Sequence, residues 1–159
     1  MTALLNDITT EVATEYLCDF RIRFARTDVF ETPLGLRITY VVEEGRAEGP
    51  RLSGTFLAGG GDWVVVGADR VARLDVRATL RTDDGADVFV TNTGRARLGD
   101  DASARLFAGE LVRADEMYAR SSPLFETGDE RYGWLNSLHT IAVNQLSMSE
   151  VQYRVHGVV

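Results

Sequence analysis

The residues of this chain best able to do chemistry fall in two stretches. In the first, Val71 to Thr82, the polar residues Arg73, Asp75, Arg77, Thr79 and Arg81 alternate with apolar Leu74, Val76, Ala78 and Leu80. A period of two puts the polar row on one face of a strand and the apolar row on the other. The polar row suits a solvent-facing strand whose charges discourage edge pairing. It equally suits the lumen of a barrel, where Asp75 would need a cationic partner to offset its burial. The pattern alone leaves both readings open. The second stretch holds Tyr118, Arg120, Phe125, Glu126, Arg131, Tyr132, Trp134 and Asn136. Aromatic rings beside phenol, guanidinium and amide groups suit a pocket that stacks a planar ligand and fixes its oxygens. The same residues would also serve as a lid packed on a barrel core.

Other chemistry is disfavoured. Gly59–Gly60–Gly61 has no following Lys-Ser/Thr pair and no helix to cradle a phosphate, so it reads as a tight turn or bulge. His139 and His156 stand far apart, outside any metal-ligand spacing, and no metal site is expected. Ser121–Ser122 has neither a nucleophile elbow nor a nearby histidine. Cys18 is the single cysteine, which rules out an intramolecular disulfide and reads as a small buried hydrophobe. All 17 basic residues are arginine, interspersed with 24 acids for a formal net charge of −7, so no basic stripe exists to follow a nucleic acid. No run approaches the roughly 18 apolar residues of a membrane helix, and no secretory pattern is seen. A cytoplasmic protein without membrane or nucleic-acid partners is the expectation.

The elements that must position these residues are strands. Cys18 to Phe24 alternates cleanly, Leu36 to Val42 is rich in β-branched residues, and Trp63–Val66, Val88–Val90 and Val151–Val155 add short apolar runs. Glu48–Gly49–Pro50, the triple glycine, Asp83–Asp84–Gly85 and Asn92–Thr93–Gly94 read as turns between them, with Asp84–Gly85 as a hairpin. Helix is expected only as a turn or two within Asn6–Leu17 and over Asp101–Leu111, where Ala102, Leu106 and Leu111 fall partly on one side. Met117 to Asn136 reads as a long connection. The fold predicted is all-β, mainly antiparallel: a single small closed or nearly closed β-barrel over residues 1–159, with one or two short helices. Residues 1–14 are expected to be a loosely ordered extension. A barrel is preferred to a sandwich because closure removes edge strands and leaves an interior able to hold a ligand.

Gly49–Pro50–Arg51–Leu52, Gly60–Gly61–Asp62–Trp63, Leu74–Asp75–Val76–Arg77 and Thr82–Asp83–Asp84–Gly85–Ala86 follow one another in this order. They precede Tyr118, Arg120, Pro123, Phe125–Glu126–Thr127 and Arg131–Tyr132–Gly133–Trp134–Leu135–Asn136. In order and spacing they resemble the domain of unknown function 3237 family, also called uncharacterised protein family 0311, from about Tyr16 to the C-terminus. One departure is Glu44–Gly45, where the family usually has a glycine pair. The resemblance implies an antiparallel β-barrel, commonly a homo-oligomer (dimer or higher), without a settled function. It adds Arg51, Asp62 and Trp63 to the candidate residues and tips the polar row of Val71–Thr82 towards a lumen.

The function expected is that of a cofactor-independent enzyme of small-molecule metabolism, acting on an oxygenated cyclic or polyketide-like compound. The step would be a proton-transfer isomerisation, cyclisation or lyase reaction, which needs a base, an acid and a stabiliser of oxyanion charge. Asp75 is assigned as base, Tyr118 or Tyr132 as acid, and Arg77 and Arg51 as clamps. Trp63 and Trp134 form stacking walls, with Arg120 and Asn136 binding substrate. Were Arg77 to pair only with Asp75, that carboxylate would be a poor base, and Asp62, Asp83 or Glu126 would be next. The alternatives are a non-catalytic ligand-binding barrel and a structural subunit whose interior is filled by its own side chains.

Overall fold

The computed structural model describes residues 11–159. Most of the predicted N-terminal extension, and the start of the helical turn expected from Asn6, lie outside the described residues. From Thr14 the chain is strand rather than helix. The strands are β1 (Thr14–Thr32), β2 (Gly35–Glu48), β3 (Gly54–Phe56), β4 (Gly61–Val66), β5 (Ala72–Thr82), β6 (Asp87–Leu98), β7 (Met117–Glu126), β8 (Thr140–Leu146) and β9 (Glu150–Val158). One α-helix, α1 (Asp100–Phe107), and one 3-10 helix, Glu130–Ser137, complete the described elements. Among the described residues no helix is long and apolar enough to cross a membrane.

Antiparallel pairing runs β1–β9–β8–β7–β6–β5, and β5 returns through β3 and β4 to β2, which pairs with β1. The result is a nearly closed barrel. β3 and β4 both lie between β2 and β5 and act as one strand interrupted at residues 57–60. That interruption is the tight turn predicted, as one of two alternatives, at the triple glycine: Gly59 has a φ of 96°. A Cβ on Gly60 would stand 2.7 Å from the Arg77 carbonyl oxygen, so the close approach to β5 requires glycine. The weakest seam is β7–β8, registered only at Arg120↔Val143 and Ser121↔Ala142. Pro123 has no N–H to give there. Side chains replace the ladder, with Ser122 Oγ donating to the Thr140 carbonyl at 2.6 Å and Thr140 Oγ1 to that of Pro123.

Alternation fixes what faces inward, and on β5 it overturns one expectation. Val76, Ala78, Leu80 and Thr82 are buried, while Asp75, Arg77 and Arg81 are exposed. The polar row is on the outside, because the apolar row packs into the barrel, where Ala78 and Leu80 are almost fully buried in the core. Its charges are met on the surface: Arg81 Nε is 2.8 Å from Asp87, and Arg73 Nη2 is 2.5 Å from Asp69. Two further readings change. Asn92–Thr93–Gly94 is not a turn but mid-strand in β6, where a Cβ on Gly94 would stand 2.6 Å from the Arg120 carbonyl of β7. The expected long connection from Met117 is strand as far as Glu126, since Met117, Ala119, Ser121, Pro123 and Phe125 alternate inward. Glu44–Gly45 is likewise interior to β2.

Two ends of the barrel differ. At one, Phe20 packs edge-on to Phe56 (centroids 4.9 Å apart) and to Phe125 (6.4 Å), with Leu52, Leu80, Val88 and Leu135 filling the rest. Tyr132 and Trp134, from the 3-10 helix, close this end over the cluster. Cys18 is fully buried in it, and burial, with Asp19 beside it, pushes its thiol up to about 12. At the other end the inward residues are smaller: Ala72, Ala96 and Ala119, with Val64 and Leu74. α1 lies across this end, Ala102 and Leu106 turned inward. It stops at Phe107, short of Leu111, because Gly109 takes a φ of 88° and its N–H returns to the Leu106 carbonyl.

A candidate active site on the floor of the open end

Register brings polar side chains to one level inside the barrel. Tyr40 of β2 stands opposite Asp62 of β4, Asp62 opposite Val76 of β5, and Val76 opposite Asn92 of β6. Across the ring, Asn144 of β8 faces Tyr153 of β9, which faces Phe20 of β1. Ser121 of β7 links the two arcs by donating to Asn144 Oδ1 at 3.1 Å. Each of these polar residues is buried. Below the belt is the sealed aromatic cluster. Above it is a cavity of about 180 Å³, floored by Tyr40, Asp62, Asn144 and Tyr153 and walled by apolar residues.

Asp62 is the centre of this belt. It is only 8% exposed. Its Oδ1 accepts the Asp75 backbone N–H at 2.9 Å. Burial pushes its carboxyl up to about 7; that hydrogen bond opposes the shift and the Asp75 charge adds to it. Burial also raises the phenols of Tyr40 and Tyr153, and the nearby Asp62 carboxylate raises them further. Both tyrosines therefore remain protonated donors. The Asn92 amide lies against the Tyr153 hydroxyl, while Asn92 Oδ1 is buried without a hydrogen-bond partner. The belt thus combines a proton-accepting carboxyl with two phenol donors beside an apolar chamber. Among the described residues, no three His, Cys, Asp or Glu side chains converge to hold a metal ion.

None of the nine residues assigned roles in the expected reaction lines this cavity. Asp75 and Arg77 form an exterior pair at 3.6 Å, with side chains 53% and 62% exposed. Tyr118 is exposed on the outer face of β7, with the Arg120 guanidinium 5.3 Å from its ring. Trp63 is exposed because it follows inward-facing Asp62 by one residue. Arg51 and Trp134 do come together, the guanidinium 3.9 Å above the indole, but at the sealed end. There Tyr132 donates to Asp84 Oδ1 at 3.0 Å, and Asn136 joins the Thr127 backbone N–H and carbonyl at 2.8 and 2.9 Å. These contacts fasten the 3-10 helix to the barrel. Of the reserve candidates, Asp62 alone reaches the interior, while Asp83 and Glu126 are exposed. Tyr40, Asn92, Asn144 and Tyr153 escaped sequence reasoning because only strand register sets them at Asp62's level.

The family model "Protein of unknown function (DUF3237)" matches residues 12–158. A UPF0311 protein of Rhodopseudomonas palustris is 32% identical over 130 residues, 80% of this chain and 84% of that protein. Its solved structure, described as a conserved protein of unknown function, superposes with a TM-score of 0.87 at 27% identity, covering 96% of this chain and 100% of that one. A UPF0311 protein of Clostridium acetobutylicum is 31% identical over 102 residues, 64% of this chain and 65% of that protein. A solved structure described as an enzyme from Penicillium herquei shares the fold, with a TM-score of 0.71 at 20% identity over 98% of this chain and 100% of that one.

Proposed function

The chain belongs to the DUF3237 family, whose description names no reaction, and on that footing we propose that it is a cofactor-independent enzyme that moves a proton on a small oxygenated molecule. The observation that carries this reading is the Asp62 carboxyl, buried at the floor of an apolar chamber and poised near neutrality. A group that is half protonated near pH 7 can both take and return a proton. Tyr40 and Tyr153 flank it as protonated donors for a developing enolate or alkoxide. Asn144 completes the polar floor.

In this reading the substrate enters past α1 and lays its apolar body along Val64, Val66 and Leu74. Asp62 removes a proton from carbon next to a carbonyl, or from a hydroxyl. The phenols hold the resulting negative charge. Return of the proton to a different carbon is an isomerisation; attack by the oxyanion on a conjugated double bond of the same molecule, breaking its π bond, with Asp62 returning the proton to the neighbouring carbon, is a cyclisation; and loss of a β-substituent, which departs with that proton, is a lyase step. Each closes with groups the chain itself supplies. A cavity of about 150 Å³ accepts a benzene ring, so this chamber of about 180 Å³ suits a single-ring compound. The Penicillium herquei neighbour is called an enzyme, but at 20% identity that likeness speaks for the fold alone.

The experiment is a thermal-shift screen of small aromatic, lactone and oxo-acid compounds, followed by NMR of the bound compounds in D2O. Wild-type protein should speed deuterium entry at an acidic position. Asp62→Asn should still bind but exchange about 10²–10⁴-fold more slowly. An Asp62→Asn variant that exchanges at the wild-type rate overturns the assignment. If compounds bind and wild type exchanges none of them, the chamber is a carrier's pocket, a reading its largely apolar walls would also suit.

A further inference from the structure

Among the described residues that line the cavity, Asp62 and Arg70 are the only ionisable ones besides the two tyrosines, Asp62 near the start of β4 and Arg70 beyond its end. Asp62, Val64 and Val66 share the inward face of β4, so the row from floor to rim spans about 13 Å at strand rise. Arg70 sits just beyond that rim, in the turn from β4 to β5. The turn is held fast. The Arg70 N–H donates to the Gly67 carbonyl at 2.9 Å, and Arg73 grips both Asp69 and the Val71 carbonyl. Within it Arg70 has a φ of 61°, the one non-glycine residue with positive φ among the described residues. An arginine side chain gains nothing from that conformation by itself; the turn holds it over the mouth.

The guanidinium at that mouth is engaged by Asp100, the first residue of α1. Both side chains are largely in water, at 62% and 88% exposure. A pair so exposed is weak and readily exchanged. A ligand carboxylate at the rim offers Arg70 the same chemistry as Asp100, and can do so in the two-pronged geometry guanidinium favours.

We infer that Arg70 recognises an anionic group on the substrate, which is therefore a small organic acid bound with its carboxylate at the mouth and its reacting carbon or hydroxyl at Asp62. The assignment rests on the proton-transfer reading for what happens at the floor, but not for what binds at the rim. It narrows the substrate to molecules whose acidic position and carboxylate are separated by an apolar spacer of about one ring. Compounds with the two groups adjacent do not span the chamber.

The test uses full-length protein and three probes: 4-acetylbenzoate, 4-acetylphenylacetate and the uncharged 4-acetylbenzamide. Dissociation constants come from calorimetry, and exchange of the acetyl protons from NMR in D2O. The acids should bind about tenfold more tightly than the amide. Arg70→Gln should erase that preference by weakening the acids alone, and Arg70→Lys should restore part of it. Equal binding of acids and amide, failure of both acids to bind, or equal weakening of all three by Arg70→Gln would overturn the assignment. Acid preference without Asp62-dependent exchange leaves Arg70 standing and removes the proposed chemistry. Asp62-dependent exchange of the amide without acid preference does the reverse.

Discussion

The two ends of this barrel are built from the same strands but with opposite use of volume. On β1, β3 and β7 the sealed end receives Phe20, Phe56 and Phe125, with the Phe20 ring edge-to-face with each of the other two. On β5, β6 and β7 the open end receives Ala72, Ala96 and Ala119. β7 contributes to both, with Phe125 at one end and Ala119 six residues away at the other. The contrast teaches that the chamber is made by subtraction. Aromatic packing at one end supplies the stability, and small side chains at the other leave the space. The polar belt lies at the boundary, where a buried carboxyl can rest on a rigid base and still face an opening.

That division is breakable. Phe56→Ala should cost about 3–5 kcal/mol of stability, read from denaturant unfolding, because it opens a void in a close-packed cluster. Ligand binding per folded molecule should be little changed. An equal loss of binding would mean that the two ends are not separable.

The next effect is in pH dependence. The Asp62 carboxyl is raised in the folded protein from 3.8 to about 7. Below its unfolded value both states hold the proton, and its contribution to stability is fully present there. As pH rises from about 4 through about 7 the unfolded state ionises more easily, and that stability is lost at up to about 1.4 kcal/mol per pH unit. Wild type should therefore lose stability relative to Asp62→Asn over this window and run parallel to it above. Parallel curves throughout would mean that Asp62 is ionised and well solvated.

The smallest change in stability is expected for Ala119→Leu. The added carbons enter existing space, so the cost should stay below about 1.5 kcal/mol, while binding in the chamber is lost. Full ligand affinity in this variant would move the binding site elsewhere.

The sequence tells more about the walls than about what they enclose. Alternation in Cys18–Phe24 identifies an inward face directly, and Asp84–Gly85 marks the β5–β6 hairpin, where Gly85 has a φ of 92°. Which end is hollow is not written locally, since an inward alanine reads alike in a packed or an empty layer. The site is harder still. The row Arg73–Arg81 has the regularity of a designed polar face, yet closure of the barrel turns it outward. Asp62 follows three glycines and looks like a turn residue; only its register between Tyr40 and Val76 makes it an interior acid. Asn92 is disguised by Gly94, whose role is close strand approach rather than turning.

Cys18, the only thiol in the chain, lies wholly inside the sealed end. With its proton held this tightly, it is silent toward alkylating reagents while the aromatic cluster is shut. The rate at which such a reagent modifies the native protein is therefore a clock for every opening, local or global, that bares that end. It runs without any introduced label, one event per molecule, whatever occupies the chamber on the far side of the belt.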